Sequence, residues 1–327
     1  MRAAVISKPG GPEVFEIKNI DEPEIGPEDV LVNVKATALN RADLLQRRGR
    51  YPSPIGIRDD VPGLEMAGVI AETGTNTEGI AVGDRVFGLL GGGGYAEQVV
   101  THHRMVAKIP DNMDFVQAAA VPEVFITAYD ALFNHCNLTM GESVLIHAAG
   151  SGVGTAAIQL ANEIGATTFG TAGSKDKIVK ALDLGLTLGI NYHKEDFAEI
   201  LKKQTNSRGV NVILDVVGSP YLANNLASLA LKGRIVIVGT MGGANPEINL
   251  GIIMQKRLRL HGTVLRSRPL EEKISLNKQF EQYVLPLLAN GRLKSIVDTV
   301  FSLQEVSEAH KYMESNANFG KIVLTLE

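Results

Sequence analysis

The sequence predicts an α/β protein in which a doubly wound parallel sheet is joined to a second domain of antiparallel strands. Three observations predict this class: short β-branched runs between Gly and Pro up to about Ile109, alternating strand and helix patterns from about Ser143 to Val238, and 34 glycines in 327 residues. Strand–helix alternation is typical of parallel strands joined by crossovers. The glycine content indicates tight turns or a backbone that approaches something closely.

The composition excludes several classes of protein. A length of 327 residues fits about two domains, and a net charge of −4 with no long run of one sign argues against general nucleic-acid binding. The single cysteine, Cys136, can form neither an intrachain disulfide nor a cysteine-rich zinc site. No apolar stretch reaches the ~18 residues of a membrane span, and no signal peptide is apparent, so a cytoplasmic location is expected.

The N-terminal region is predicted to form a compact antiparallel barrel or sandwich, because its short strands are separated by turn residues. The predicted strands are Arg2–Ser7, Val14–Ile20, Val30–Ala36, Met66–Glu72, Arg85–Leu90 and Tyr95–Val100. Residues 116–134 have helical spacing interrupted by Pro122, which predicts two helices that meet at a break. Gly91–Gly94 is interpreted either as a flap or as a turn before the last of these strands.

The alternating region follows. Its predicted strands are Ser143–His147, Thr167–Ala172, Leu188–Asn191, Val210–Val216, Arg234–Val238 and Arg259–Arg268, and its predicted helices are Gly152–Ile164, Lys175–Leu184, Asp196–Gln204 and Tyr221–Leu229. The tail is predicted as helices Leu270–Ala289 and Leu303–Ser315 and a strand, Lys321–Leu326. Because it ends in a strand, it is expected to complete the N-terminal domain. The predicted domains are residues 1–122, 123–264 and the returning segment 265–327.

A glycine-rich turn carries the clearest local signal. The apolar strand Val144–His147 leads into Ala148-Ala149-Gly150-Ser151-Gly152-Val153-Gly154 and directly into a helix with small residues on one face. The unpaired N–H groups and the positive end of a helix can hold a pyrophosphate that glycines allow to come close. In this context the pattern favours a Rossmann-type dinucleotide site over a plain tight turn.

The end of the next strand indicates which cofactor is used. A site for NAD has Asp or Glu about 20 residues after the glycines, but position 172 here is Ala, followed by Gly173, Ser174 and Lys177. A hydroxyl and an ammonium suit a 2′-phosphate, which favours NADPH over NADH. The alternative is that Ser174 only caps the next helix and Lys177 is solvated.

Several stretches resemble one family along essentially the whole chain. They are Ala38–Asp43, Gly63–Gly68, Gly141–Ala148, Ser151–Leu160, Asn191–Phe197 and Ala309–Glu314. The chain resembles the zinc-independent medium-chain dehydrogenases/reductases, more narrowly the zeta-crystallin-like NADPH quinone oxidoreductases and their tumour-suppressor-inducible subgroup. The resemblance implies a GroES-like β-barrel catalytic domain beside the Rossmann domain.

The same resemblance argues against zinc. Zinc alcohol dehydrogenases carry Cys where this chain has Asn40, and His where it has Leu64. An amide and an alkyl side chain do not replace thiolate and imidazole as zinc ligands. His102 and His103 are adjacent on a predicted strand and would point to opposite faces.

The resemblance also implies the cofactor contacts. Ser174, Lys177 and Tyr192 would meet the 2′-phosphate, and Ser151, Gly152 and Val153 the diphosphate. The remaining contacts would come from Val217, Gly239, Thr240 and Met241 along the adenosine and ribose, and from Thr127, Val264, Leu265 and Asn318 at the nicotinamide. Asn40 and Tyr51 would face the nicotinamide in the cleft between the domains.

Without a metal, the reaction is expected to be hydride transfer from NADPH to an acceptor that is itself easily reduced. A quinone fits best, and a 2-enoyl or enone acceptor would also fit; a third reading is a non-enzymatic NADPH-binding protein. Tyr51 is the best candidate for a proton donor, although it could only pack there, and Asn40 is expected to orient rather than titrate.

Other features receive structural interpretations. The run Arg41, Arg47, Arg48 and Arg50 is interpreted as a solvated helix face, and His310 as a surface helix residue. Asp43 and Glu65 are interpreted as structural, and Cys136 is not expected to be a nucleophile. The apolar edge strand near Leu260–Leu265 predicts a homodimer formed edge to edge.

Overall fold

The computed structural model describes residues 1–326 and contains two compact units. The first unit comprises residues 1–126 and 265–326, and the second comprises Thr127–Val264. No helix within residues 1–326 is long and apolar enough to cross a membrane.

The elements alternate along the chain as follows. The strands are β1 (Arg2–Ile6), β2 (Phe15–Asn19), β3 (Asp29–Ala38), β4 (Glu65–Thr73), β5 (Arg85–Leu89), β6 (Gln98–His102), β7 (Val106–Lys108), β8 (Ser143–Ile146), β9 (Thr167–Ala172), β10 (Leu188–Asn191), β11 (Val210–Asp215), β12 (Leu229–Ile237), β13 (Arg259–Gly262), β14 (Val297–Ser302) and β15 (Lys321–Thr325). The α-helices are α1 (Arg41–Arg47), α2 (Phe115–Ala119), α3 (Pro122–Tyr129), α4 (Gly152–Glu163), α5 (Lys175–Asp183), α6 (Phe197–Gln204), α7 (Ser219–Ser228), α8 (Leu250–Lys256), α9 (Leu270–Tyr283), α10 (Leu285–Ala289) and α11 (Val306–Glu314). Short 3-10 turns cover Pro12–Val14, His103–Met105 and Leu303–Glu305, and a π-helical segment covers Asp130–His135.

The first unit is built on a mixed seven-stranded sheet in the order β14-β15-β3-β4-β5-β7, with β6 also paired to β3. β3 lies at its centre, and along its first half buried valines alternate with more exposed residues, as a half-buried strand requires. The C-terminal strand β15 pairs antiparallel with β3, so that Val323 lies opposite Ala38. The tail therefore closes the sheet that the N-terminal residues begin.

The second unit contains a six-stranded, wholly parallel sheet in the order β10-β9-β8-β11-β12-β13. This is the doubly wound order 3-2-1-4-5-6, whose direction reverses between the first and fourth strands, here β8 and β11. The buried side chains of Leu145, Ile213 and Ile235 come from three neighbouring strands and join one apolar core. The predicted fold class, a doubly wound sheet with an antiparallel-rich β unit, is confirmed.

Several boundaries differ from the prediction. The strand predicted at Tyr95–Val100 begins at Gln98, because Ala96 forms only an isolated bridge with Ala3. The last parallel strand ends at Gly262, well before the predicted Arg268. The sequence patterns also did not predict α8, β7 or β14. These elements are short, with at most seven residues, so they carry too few turns or alternations to give a periodic signal.

The predicted helix break at Pro122 is confirmed. α2 ends at Ala119 and α3 begins on Pro122, where a missing N–H costs no helical hydrogen bond. The chain then widens into the π-helical segment instead of continuing as the predicted helix to Asn134.

Candidate active site

The glycine-rich turn lies where β8 ends, at the reversal of strand order. Ser151 caps α4, and its hydroxyl oxygen accepts a hydrogen bond from the Gly154 N–H at 3.0 Å. A Cβ at Gly154 would lie 2.4 Å from the Ala148 carbonyl oxygen, so only glycine allows the helix to approach the strand this closely. The turn therefore directs the first N–H groups of α4 to the carboxyl edge of the sheet, where doubly wound sheets bind phosphate.

A buried polar chain lies beneath this edge. The Asp215 carboxylate accepts hydrogen bonds from the Val217 N–H at 2.7 Å and from the Asn225 amide at 3.1 Å. The two ring nitrogens of the buried His147 lie 2.7 Å from Asn225 Oδ1 and 3.0 Å from the Thr171 hydroxyl. Burial lowers the pKa of His147, which keeps the imidazole neutral. The chain thus fixes the ends of β8, β9 and β11 relative to one another.

The predicted 2′-phosphate residues come together at the end of β9. Ser174 is the N-cap of α5, where its hydroxyl oxygen accepts a hydrogen bond from the Lys177 N–H at 3.3 Å. A Cβ at Gly173 would lie 2.6 Å from the Tyr192 hydroxyl, so the missing side chain is what allows the tyrosine to lie against this turn. Tyr192 is 41% exposed and Lys177 is half-buried, which leaves this cluster accessible to a ligand.

The predicted adenosine and ribose contacts share one loop region. The Met241 N–H donates to the Val216 carbonyl at 3.2 Å, and the Gly242 N–H donates to the Val217 carbonyl at 2.8 Å. Hydrogen bonds therefore join the segments after β11 and β12, next to the place where the strand order reverses between β8 and β11. In the same unit, Thr127 is buried in α3 and Val264 is exposed after β13.

The first unit holds a buried ion pair next to the predicted catalytic Asn40. The Lys321 ammonium donates to the Leu39 carbonyl, to Asn40 Oδ1 and to Glu65 Oε1, each at 2.7 Å. The Asn40 amide donates to the same carboxylate at 2.8 Å, and the Glu123 N–H donates to its other oxygen at 2.8 Å. Both the oxygen and the nitrogen of the Asn40 amide are therefore engaged by neighbouring protein groups.

A second buried chain extends from this cluster. Asp43 accepts a hydrogen bond from the Tyr95 hydroxyl at 3.1 Å, and that hydroxyl lies 3.3 Å from His310 Nε2. His310 Nδ1 lies 3.1 Å from the Arg47 guanidinium, which also pairs with Glu314. Burial raises the pKa of Asp43 to about 6, and burial together with the charge of Arg47 lowers that of His310.

Two interpretations from the sequence are therefore wrong. Arg47 and His310 are both fully buried, so the arginine run is not wholly a solvated face and His310 is not a surface residue. Arg48 and Arg50 remain exposed. Glu314 and His310 lie more than 260 residues from Arg47 along the chain, so nothing in its local pattern indicates these partners. The interpretation of Asp43 and Glu65 as structural agrees with their hydrogen bonds.

Tyr51 lies in a loop that is held by Arg266. The Arg266 guanidinium lies 5.0 Å from the centroid of the Tyr51 ring and donates to the Tyr51 carbonyl at 3.2 Å, to Ser53 Oγ at 2.7 Å and to the Gly91 carbonyl at 2.7 Å. One side chain thus fixes both the Tyr51 loop and the Gly91–Gly94 turn. The Tyr51 hydroxyl forms no hydrogen bond with another residue in the described part of the chain.

Glu123 was missed by the sequence analysis. Its side chain is half-buried, and its pKa is raised to about 8 by burial and then by the negative charge of Glu65. The Glu123 carboxyl makes no hydrogen bond to any residue between 1 and 326. The pKa of Tyr51 is raised by burial and then by the charge of Glu123. The only signal in the sequence is an acid directly after Pro122, which is also usual in the first turn of any helix.

Two predicted nicotinamide contacts belong to the first unit. Leu265 is buried, and the Asn318 amide donates to the Gly320 carbonyl at 2.8 Å. Cys136 lies in the second unit, where burial raises the pKa of its thiol to about 12, so the thiol stays protonated. The described residues include no group of three His, Cys, Asp or Glu side chains placed to hold a metal ion.

Fold and site together define a dinucleotide-dependent oxidoreductase of the alcohol-dehydrogenase type. The sequence pattern of the alcohol dehydrogenase GroES-like domain matches residues 26–111, and that of the zinc-binding dehydrogenases matches residues 152–290. The chain is 33% identical to human quinone oxidoreductase over all of this chain and 98% of that protein, and 32% identical to cattle quinone oxidoreductase-like protein 2 over all of this chain and 93% of that protein. The chain belongs to the medium-chain dehydrogenase/reductase family, and quinone oxidoreductases are among its homologues.

Solved structures give the same result and show how varied the family is. A crystal structure of an NAD-dependent alcohol dehydrogenase superposes with a TM-score of 0.90 at 32% identity, with full coverage of both chains. Quinone oxidoreductase of Escherichia coli in complex with NADPH has a TM-score of 0.90 at 30% identity, again with full coverage. The CurK enoyl reductase has a TM-score of 0.89 at 29% identity over 100% of this chain and 99% of that one.

Proposed function

We propose that this oxidoreductase is a metal-free NADPH:quinone reductase. The observation that carries the proposal is the end of β9, where Ser174, Lys177 and Tyr192 lie near a strand tip, Ala172-Gly173, that carries no acidic side chain. An Asp or Glu here would bind the ribose 2′-hydroxyl and repel a 2′-phosphate, whereas a hydroxyl and an ammonium favour the phosphate. The quinone oxidoreductases among the homologues support the choice of acceptor.

The predicted contacts give each part of the cofactor a place. Ser151, Gly152 and Val153 at the start of α4 would hold the diphosphate, and Val217 with Gly239, Thr240 and Met241 would lie along the adenosine and ribose. Thr127, Val264, Leu265 and Asn318 are proposed for the nicotinamide. The hydrogen bonds at the carboxyl ends of the strands support this assignment, because the Asp215 carboxylate holds the backbone N–H of Val217 in place.

The donor set of the first unit does not fit a zinc ion, although the family pattern is named for zinc. Leu64 offers no ligand atom and is buried. Asn40 and Glu65 are both hydrogen-bonded to the Lys321 ammonium at 2.7 Å, so a cation already occupies their oxygens. A second, divalent cation at the same oxygens would be repelled by this ammonium.

In the proposed reaction the hydride and the proton come from different groups. NADPH supplies the hydride when it is bound. Within residues 1–326, neither the Tyr51 hydroxyl nor the Glu123 carboxyl forms a hydrogen bond with another residue. The pKa of Glu123, raised to about 8, keeps that carboxyl protonated at neutral pH. A positioned neutral acid can donate a proton to the oxygen of a reduced acceptor. Asn40 orients Glu65, which in turn holds the backbone of Glu123.

The experiment that tests this function is an NADPH-oxidation screen of the purified chain with quinones and with 2-enoyl thioesters or enones. Faster turnover of quinones supports the proposal. Preferential turnover of 2-enoyl substrates would support the enoyl reductase alternative, which the similarity to CurK and the neutral acid favour. Binding of NADPH without oxidation by any acceptor would indicate a non-enzymatic binding protein.

Replacing Tyr51 by phenylalanine is expected to slow enone reduction about tenfold while changing quinone reduction less than about twofold. A hydroquinone anion is stable enough to take its proton from water, whereas an enolate depends more on a nearby donor. The comparison is of kcat for both acceptors at saturating NADPH. If both rates are unchanged, Tyr51 only packs in its loop.

The variant Ser174→Ala/Lys177→Ala is expected to weaken NADPH binding about tenfold and NADH binding much less, because charge-assisted hydrogen bonds to a 2′-phosphate are lost. Dissociation constants of both cofactors can be measured by fluorescence titration. Lys202→Ala, on the exposed end of α6, removes the same single positive charge and is the control for a change in net charge. Equal losses for NADPH and NADH would rule out the 2′-phosphate assignment.

We also propose a homodimer that forms through β13. This strand ends the parallel sheet, so one side of its backbone lacks a strand partner within the described chain, and the nearby Val264 is 52% exposed. Edge-to-edge pairing across a two-fold axis would give the outer backbone edge of β13 a strand partner and would cover Val264. Light scattering is expected to give twice the mass of 35.0 kDa. A monomeric mass would contradict the proposal.

A further inference from the structure

A second cavity lies in the Rossmann unit, apart from the cofactor turn. It has a volume of about 580 Å³. It is lined by the end of the π-helical segment, the loop before β8, Lys232 and Arg234 of β12 where the pairing with β13 begins, and Arg257 and Arg259 just before and at the start of β13. In a parallel sheet these are the amino ends of the strands, whereas the phosphate turn lies at their carboxyl ends. The volume falls within the range of roughly 300–1,000 Å³ that is typical of small-molecule sites.

The lining is strongly basic in a chain that is acidic overall. Four cationic side chains, Lys232, Arg234, Arg257 and Arg259, face a single carboxylate, Glu142. The net charge of the whole chain is −4, so this concentration of positive charge does not reflect the average composition. Arg234 and Glu142 are joined by two hydrogen bonds of 2.7 Å, which neutralise one cation.

The remaining three cations have no acidic partner. Lys232, Arg257 and Arg259 are exposed, and none of them forms an ion pair with any residue up to position 326. Arg259 lies directly beside Arg234 in the register of β12 and β13. Neighbours in register on parallel strands project from the same face about 4.8 Å apart, so two like charges are held side by side.

The backbone at two of these residues is also unusual. Lys232 has φ +63° and Arg257 has φ +53°, in the left-handed region that side chains with a Cβ rarely adopt. Arg257 terminates α8 in this conformation, and Lys232 turns the first part of β12. Two long basic side chains thus stand at positions where glycine or asparagine would relieve the backbone.

We infer that this cavity binds a small soluble compound that carries two or more phosphate groups. The guanidinium groups of Arg257 and Arg259 can each offer paired N–H donors to phosphate oxygens, and Lys232 adds a mobile point charge. A diphosphate would offset the three unpaired charges and the repulsion between Arg234 and Arg259. The concave, half-enclosed shape favours a small ligand over an extended polyanion or a flat membrane surface. This site is independent of the proposed reaction.

The test uses inorganic pyrophosphate and the full-length protein, with NADPH kept saturating so that the phosphate turn is occupied. Isothermal titration is expected to show pyrophosphate binding that Lys232→Gln/Arg259→Gln weakens about tenfold or more, since two charge-assisted contacts are lost. The matched control is Lys202→Gln/Lys203→Gln, which removes the same two charges from the exposed end of α6 and should change binding less than about twofold.

Three outcomes would overturn the inference. They are no pyrophosphate binding in the presence of NADPH, equal weakening in the cavity variant and its control, and a changed oligomeric state of the cavity variant with unchanged pyrophosphate binding. If the double variant fails to fold, Lys232→Gln is compared with Lys202→Gln instead, since each removes one charge from an exposed lysine. Anionic vesicles form a separate arm, and binding only to vesicles would also contradict a small soluble ligand.

Discussion

Replacing Lys321 by methionine is expected to lower the free energy of unfolding by about 3–5 kcal/mol. Lys321 is 4% exposed and its ammonium is hydrogen-bonded at 2.7 Å to Glu65, whose side chain is fully buried. Methionine fills a similar space, but it leaves the Glu65 carboxylate without its cation. An uncompensated buried charge is strongly destabilising, whereas loss of the packing is small.

Urea unfolding followed by circular dichroism measures this change, and Lys8→Met, at an exposed site in the same unit, is the control. The double variant Lys321→Met/Glu65→Gln removes both charges and is expected to recover more than half of the loss. With Glu65→Gln measured alone as well, the double-mutant cycle gives the coupling between the two groups. A single variant that is as stable as the control would mean that Glu65 accepts a proton at little cost, contrary to the expectation.

The parallel sheet could be predicted because its strands and helices alternate within short stretches of chain. Each of β8, β9, β10 and β11 was predicted within one residue of its boundaries, since a buried strand between a glycine and a helix is a local pattern. The position of β14 could not be predicted in this way. Its residues are half-buried or exposed, and it joins the sheet only through β15, about 20 residues further along.

The glycine-rich turn and the buried cluster around Glu65 also differ in how far apart their interacting residues lie along the chain. The partners of Ser151 and Ser174 lie only three residues further along the chain, at Gly154 and Lys177. The spacing of these residues in the sequence alone therefore indicated their positions. Lys321 reaches Glu65 across 256 residues, and Arg47 reaches His310 across 263. A lysine near the end of a strand and an arginine on a basic helix both look solvated until their distant partners are known. The sequence did not indicate Glu123 either, because the residues that set its environment, such as Glu65, Arg266 and those around Tyr51, are distant along the chain.

Replacing Glu123 by glutamine is expected to reduce turnover of an enone about 100-fold at pH 7, because glutamine keeps the shape but cannot donate an acidic proton. The pKa of Glu123 is raised to about 8, so the wild-type carboxyl is neutral below that pH and becomes charged above it. Turnover of the wild type should therefore fall as the pH rises through about 8. Groups that set this pKa besides burial are Glu65, Lys321, Asp43 and Arg266.

The pH profile separates this role from a structural one. The Gln variant should lose the alkaline limb, Glu123→Asp should retain it at reduced turnover, and the exposed Glu22→Gln should match the wild type throughout. The dissociation constant of NADPH should stay the same in all three variants. Quinone reduction should fall much less, because the hydroquinone anion can take its proton from water. If the Gln variant keeps both the turnover and the alkaline limb of the wild type, the proton comes from another group, and the raised pKa of Glu123 only reflects its place beside Glu65.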